Sequence, residues 1–181
     1  FVSADGALGG GGYDRTESDG AGGAPPAVTE LIRAAHRRIV RVGMDGAVGR
    51  RAGFEQAVAA AGEITSGFIA TEGLEFADGF TAGDAIIAFG ADAVFFDTDR
   101  MALGFYRYAS ERGVTIPEKV AVAGFDDDAA GAFAIPALTT VAHPDAETVA
   151  RAVEKILSPA EGAPELVVYP ARLVRRESIS S

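Results

Sequence analysis

Val120-Ala121-Val122-Ala123-Gly124-Phe125-Asp126-Asp127-Asp128, entered through Ile116-Pro117-Glu118-Lys119, decides how the rest of this chain is organised. An apolar, β-branched run that stops abruptly at Gly-Phe-Asp-Asp is the pattern of a parallel strand buried on both faces, with carboxylates at its carboxyl end. In open α/β sheets, ligands bind in the crevice outside those ends. The Asp cluster therefore stands where a small molecule would be held.

Strand and helix patterns alternate on either side of this run. Pro25 and Pro26 suit a first helical turn, with Ala27, Leu31 and Ala34 following on one face. Ile39 to Val42 reads as a strand, and Arg50 to Ala61 as a helix with Phe54, Val58 and Ala61 in line, closed by Gly62. Ser66 to Thr71 is the next strand, Gly79 to Phe89 a helix, and Ala93 to Phe96 a strand. Asp99 is expected to cap a helix whose inner face carries Met101, Phe105 and Tyr108, ended by Gly113. Leu138 to Val141 is a short strand. Pro144 opens a helix with Val149, Val153 and Ile156 inward, and Leu166 to Val174 forms a final strand. Ahead of all this, Phe1 to Asp5 and Thr16 to Asp19 are short strands around a Gly-rich loop. Such alternation implies right-handed βαβ units and a doubly wound parallel sheet, an α/β fold.

Composition narrows the function classes. The 181 residues are 48% hydrophobic and 23% charged, as in ordinary globular domains. No apolar run approaches the roughly 20 residues a membrane-spanning helix needs, so no membrane partner is expected. The absence of cysteine excludes disulfides and thiolate metal sites and fits a reducing cytoplasm. With only two histidines, no metal site is expected, and no motif calls for a cofactor. A net charge of −10 argues against contact with a nucleic-acid backbone by this segment itself, since the pairs Arg37-Arg38, Arg50-Arg51 and Arg175-Arg176 are dispersed. The chain begins with Phe1, and no signal peptide is visible.

Six motifs in order give this pattern a family. Ala35-His36-Arg37-Arg38-Ile39 resembles Gly-His-Arg-x-Ile, and Arg50-Arg51-Ala52-Gly53-Phe54 resembles Arg-x-x-Gly-Phe. Thr98-Asp99-Arg100-Met101-Ala102-Leu103-Gly104 is similar to Asn-Asp-x-Met-Ala-x-Gly. Ile116 to Asp127, Pro136 to Val141, and Leu173-Val174-Arg175-Arg176-Glu177-Ser178 resemble the closing motifs. Together they resemble the effector-binding domain of LacI/GalR-family transcriptional regulators. The resemblance implies a periplasmic-binding-protein-like type I fold of two lobes, with the amino-terminal lobe incomplete. Residues 1–19 would be the remnant of that lobe, 20–142 the carboxy-terminal lobe, 143–161 a return to the amino-terminal lobe, and 162–181 the final strand of the carboxy-terminal lobe. It further implies a sugar-like effector between the lobes, a homodimer, and operator DNA bound only through a helix-turn-helix headpiece absent from this sequence. Such a protein is cytoplasmic and has no catalytic activity.

The resemblance places the effector contacts. Arg50, at a helix start, would clamp hydroxyls or a carboxylate bidentately, although an arginine beside Arg51 is also an ordinary surface residue. Asp126 would accept hydrogen bonds from ligand hydroxyls, with Asp127 or Asp128 filling the turn-capping role. Asp5 ends the matching strand of the other lobe, and His143 sits at the crossover. Thr98 replaces the family's usual Asn and retains one hydroxyl donor. Phe76 would be the aromatic wall for a sugar ring. His36, at a helix carboxyl end, needs no function beyond capping.

Two other readings fit parts of the chain. A periplasmic sugar-binding protein of a transporter shares the fold. Val94-Phe95-Phe96-Asp97-Thr98-Asp99 resembles the Asp-x-Asp of haloacid-dehalogenase-like phosphatases, in which the first Asp attacks phosphorus. That motif normally opens its domain and is followed by Gly-Thr, whereas here Arg100-Met101 follow.

Overall fold

Phe95 and Phe96 are adjacent, both are fully buried, and they point into different cores. This is the signature of a strand covered on both faces, where each buried aromatic contributes about 1.5–3 kcal/mol relative to an exposed one. The computed structural model describes residues 2–4, 14–18, 20–142, 149–150, 153–154, 157 and 166–179. Its principal sheet has four parallel strands in the order β4 (Thr65–Ala70), β3 (Arg38–Gly43), β5 (Ala93–Phe96) and β6 (Ala121–Ala123). Val40, Val42, Val94, Phe96 and Val122 pack on one side against α4 (Gly83–Phe89) and α5 (Asp99–Arg112). Ile39, Ala93, Phe95, Ala121 and Ala123 face α1 (Gly20–Arg33) and α2 (Val48–Ala61) on the other. The sheet is doubly wound and parallel, as the alternation predicts.

A second sheet joins β1 (Val2–Ala4), β2 (Asp14–Ser18) and β8 (Leu166–Tyr169), all parallel. A two-stranded antiparallel ribbon pairs β7 (Thr140–Ala142) with β9 (Arg172–Val174), and Thr139 bridges to Ala123 at the edge of the principal sheet. The expected single strand 166–174 is therefore two. It breaks at Pro170-Ala171, and its halves serve different sheets, so residues 166–169 do not belong with the carboxy-terminal lobe's closing strand. A change of ladder partner leaves no trace in hydrophobic pattern, which both halves share.

Three further expectations are corrected. The helix expected over 79–89 is two helices, α3 (Phe76–Thr81) and α4, meeting at Ala82. α3 starts early because Glu75 and Asp78 form a capping box. It then crosses α5 at near-contact distance: a Cβ on Gly79 would lie 1.8 Å from the Met101 carbonyl oxygen, and one on Gly104 1.9 Å from that of Phe76. The cap of α5 is Thr98, whose Oγ1 accepts from the Met101 amide at 3.3 Å, while Asp99 is the first helical residue. Val149 and Val153, expected inward, are 55% and 47% exposed, because no described element covers that stripe. Pro144 and Ile156 lie outside the described residues. Gly62 and Gly113 end α2 and α5 at φ +81° and +67°, where a glycine is needed. α6 (Ala129–Ala132) follows, and the described residues at 149–150, 153–154 and 157 are helical as well.

Candidate functional site

The carboxyl ends of β3, β5 and β6 open on one edge, where Arg50, Phe125 and Asp126 meet. Arg50 stands in the first turn of α2, which follows β3 after a short loop. Its guanidinium lies over the Phe125 ring at 4.5 Å from the centroid, and its Nη2 is 3.7 Å from Asp126 Oδ1. That distance exceeds the 2.7–2.9 Å or so of a closed charge-assisted bond, so the two groups form an open ion pair. The Arg50 Nε is buried without a hydrogen-bond partner among the described residues.

The turn carrying Asp126 is over-determined. Asp126 and Asp127 adopt φ of +116° and +58°, unusual for non-glycine residues. The Asp126 amide donates to the Val141 carbonyl at 2.9 Å, and Arg176 Nη2 donates to Asp127 Oδ1 at 2.5 Å. Asp128 caps α6 through a 2.9 Å bond from the Ala130 amide. The capping role thus falls to Asp128 and the charge-pairing role to Asp127. Asp99 ties the turn to α5: its Oδ2 accepts from the Asp128 amide at 2.8 Å, its Oδ1 from the Thr140 hydroxyl at 2.6 Å, and its own amide donates to the Phe125 carbonyl at 2.7 Å. Asp99 is fully buried, and burial, seconded by Asp126 and Asp127 and opposed by its two donors, pushes its carboxyl up to about 7.

The other predicted residues divide. The Thr98 hydroxyl, besides capping α5, donates to the Leu74 carbonyl at 2.8 Å, so its one donor is engaged within the fold. Phe76 opens α3 and is 48% exposed, beside the Glu75–Arg100 ion pair. Asp5 and His143 lie outside the described residues. His36 sits at the opposite, amino-terminal end of β3, 3.6 Å from Asp92, and burial lowers its pKa.

Sequence reasoning missed a buried ion pair beneath this site. Arg41 of β3 and Asp97, which follows β5, are 2% and 0% exposed. Nε donates to Oδ1 at 2.8 Å and Nη2 to Oδ2 at 2.6 Å, while Nη2 also reaches the Met44 carbonyl at 3.0 Å. The Phe68 ring covers the guanidinium at 4.7 Å. Gly43 makes room, since a Cβ there would lie 1.9 Å from Asp97 Oδ2. The available signal was an arginine at the centre of the apolar run Arg38-Ile39-Val40-Arg41-Val42. An Asp97 so enclosed presents no nucleophile to a phosphate ester, and no group of His, Cys, Asp or Glu among the described residues is arranged to hold a metal ion.

Residues 28–179 match the family model of the periplasmic binding protein-like domain. The chain belongs to that family. Its form is that of the effector-binding domain of LacI-family transcriptional regulators. It is 32% identical over 164 residues to the HTH-type transcriptional regulator AscG of Escherichia coli K12, an alignment covering 84% of this chain and 48% of AscG. A LacI-family regulator from Enterococcus faecium, solved with bound ribose, superposes with a TM-score of 0.90 at 25% identity over 99% of this chain and 70% of that one. A LacI-family regulator from Sanguibacter keddieii gives 0.89 at 31% identity over 99% and 72%. The chain spans about half the length of AscG, the first of the curated relatives it matches. As a LacI-family regulator domain it is not an enzyme, and no described helix is long and apolar enough to cross a membrane.

Proposed function

We propose that this LacI-family domain senses a small sugar-like effector in a cleft whose carboxy-terminal wall is Arg50 and Asp126, with the buried Phe125 ring under the guanidinium. The observation that carries the reading is the open 3.7 Å pair over an aromatic ring. A carboxylate acceptor and a planar donor fork at that spacing match the adjacent hydroxyls of a sugar, and the aromatic beneath holds the fork in plane. The ribose held by the Enterococcus faecium regulator favours the same ligand class. Asp5 and His143 would complete the ligand contacts, with Phe76 as an aromatic wall. Thr98 would serve by holding the Leu74 loop that precedes Phe76.

Ligand binding acts here by linkage. An effector that prefers one relative orientation of the lobes shifts the population towards it, and a homodimer converts that shift into a change in headpiece spacing on operator DNA. The regulator is then cytoplasmic, with no membrane partner. Thermal-shift screening with ribose, other sugars, nucleosides and small acids identifies the effector. Arg50→Ala and Asp126→Ala are each expected to weaken it about tenfold or more, since removing a partner of a buried polar ligand costs about 1–3 kcal/mol. Wild-type affinity in both variants sinks the site assignment.

Pairing is supported by Phe133 and Ile135, which follow α6 at 87% and 94% exposure. Two large apolar side chains so displayed are candidates for the centre of a pairing surface, since interface cores are depleted in charge. Sedimentation of the complete effector domain should show a dimer that Phe133→Asp weakens. A strictly monomeric wild type at high concentration counts against pairing.

A further inference from the structure

The β4 edge of the principal sheet carries a cavity that the cleft does not use. In the β3–β4 ladder Arg41 lies opposite Phe68 and Ile39 opposite Ser66, so Arg41, Ser66 and Phe68 share the face that α2 covers. Between that face and α2 is a cavity of about 410 Å³, within the roughly 300–1,000 Å³ of small-molecule pockets. Phe54 and Phe68 line it with apolar surface, and Arg41, Arg51, Asp45, Glu55 and Ser66 supply its polar groups. It stands at β4, whereas Asp126 follows β6 at the other edge of the sheet. Another cavity, of about 470 Å³, lies beside α3, but three of its four polar side chains, Thr71, Asp78 and Thr81, are bonded within their own turns.

Arg41 is what sets the 410 Å³ cavity apart. A guanidinium has five N–H donors. Asp97 and the Met44 carbonyl take those of Nε and Nη2, while Nη1 bonds to no group among the described residues. The side chain is 2% exposed and lines the cavity, so the donors of Nη1 are offered at its bottom. Each charge there already has a counter-ion: Asp97 for Arg41, and Asp45 at 3.3 Å and Glu55 at 2.9 Å for Arg51. A charged ligand must compete with one of these pairs, and a neutral one need not. The Arg51 pairs are exposed, and exposed pairs hold their side chains weakly, so they turn readily to a ligand. We propose that this cavity is a second small-molecule site, for a neutral polyhydroxylated ring. One ring hydroxyl accepts from Arg41 Nη1, others meet Ser66 and the carboxylates of the rim, and the C–H surface lies against Phe54 and Phe68. A hydroxyl both donates and accepts, which suits a donor floor beneath an acceptor rim.

The test is a titration of the intact, nitrogen-labelled protein with methyl α-D-glucopyranoside, followed in the backbone amide signals. Saturable shifts are expected at Ser66, Gly67 and Phe68, and at Arg51 and Glu55 across the cavity. Glucuronate, the same kind of ring with a carboxylate, should bind there about tenfold more weakly. Two variants remove the site by different means. Arg41→Leu/Asp97→Ala deletes Nη1 and leaves neither charge buried alone, and Ser66→Tyr fills the cavity from an exposed strand position. Each should abolish the shifts at Gly67 and Phe68, and Ser66→Tyr decides alone should the double variant fail to fold. Absence of a saturable shift at Ser66–Phe68 in the wild type, or an unchanged one in Ser66→Tyr, overturns the proposal. Glucuronate held as tightly as the glucoside overturns the neutral class of ligand. Shifts confined to Phe125–Asp128 mean that the sugar enters the cleft alone, which supports the cleft reading and overturns this one.

Discussion

Arg41→Met is expected to lower the unfolding free energy by about 3–5 kcal/mol, the range for removing one partner of a buried pair. The substitution keeps the volume of the side chain but leaves Asp97, 0% exposed, without the two bonds at 2.8 and 2.6 Å that compensate its burial. The Met44 carbonyl loses its donor at the same time. The carboxyl escapes part of the cost by taking up a proton, so the deficit should shrink as the pH falls. Urea unfolding of wild type, Arg41→Met and Arg41→Leu/Asp97→Ala decides the matter. The single variant should be the least stable, and the double variant should recover most of the loss. Equal stability of all three would mean that Asp97 reaches water in solution.

Asp99 should make the fold less stable as the pH rises towards neutrality. Its carboxyl is raised from 3.8 to about 7, so between those values the folded chain holds a proton that the unfolded chain has released. Stability therefore declines with increasing pH across that window, by up to about 1.4 kcal/mol per pH unit and about 4 kcal/mol in all at most. The contribution is intact below the unfolded value and fully lost above the folded one. In Asp99→Asn the slope between pH 5 and 8 should flatten, with the amide oxygen accepting from Asp128 and the amide nitrogen donating to the Thr140 hydroxyl in place of accepting from it. Asp97, also raised by burial, adds a slope of the same sign that remains in the variant. Identical slopes in wild type and Asp99→Asn would show that Asp99 is ionised throughout.

Asp97 and Asp99 are both fully buried, and neither was legible as more than a helix cap or part of an Asp-x-Asp pattern. Arg50 and Asp126, by contrast, were set on one wall by the family resemblance, one at a helix start and one at a strand end, and they stand 3.7 Å apart. The difference lies in the range of the information. Val120 to Ala123 is apolar along its length, so it is a strand buried on both faces. Gly62 and Gly113 follow apolar helical stripes, so those helices stop there, as their positive φ values require. Each of these features depends on neighbours within a few residues, and each is visible in a string of letters.

The sequence by itself therefore determined the alternation of elements, the doubly wound sheet and the strand edge at which Arg50 and Asp126 stand. Tertiary structure alone decided what fills that edge. Arg41 and Asp97 are 56 positions apart and meet only because β3 and β5 are hydrogen-bonded neighbours and Gly43 carries no Cβ. The break at Ala82 accompanies the close crossing of α3 over α5, and the split of 166–174 depends on which ladder each half joins. Hydrophobic periodicity states that a residue is covered. The identity of the group that covers it is settled only when strands distant in sequence come within about 5 Å of each other.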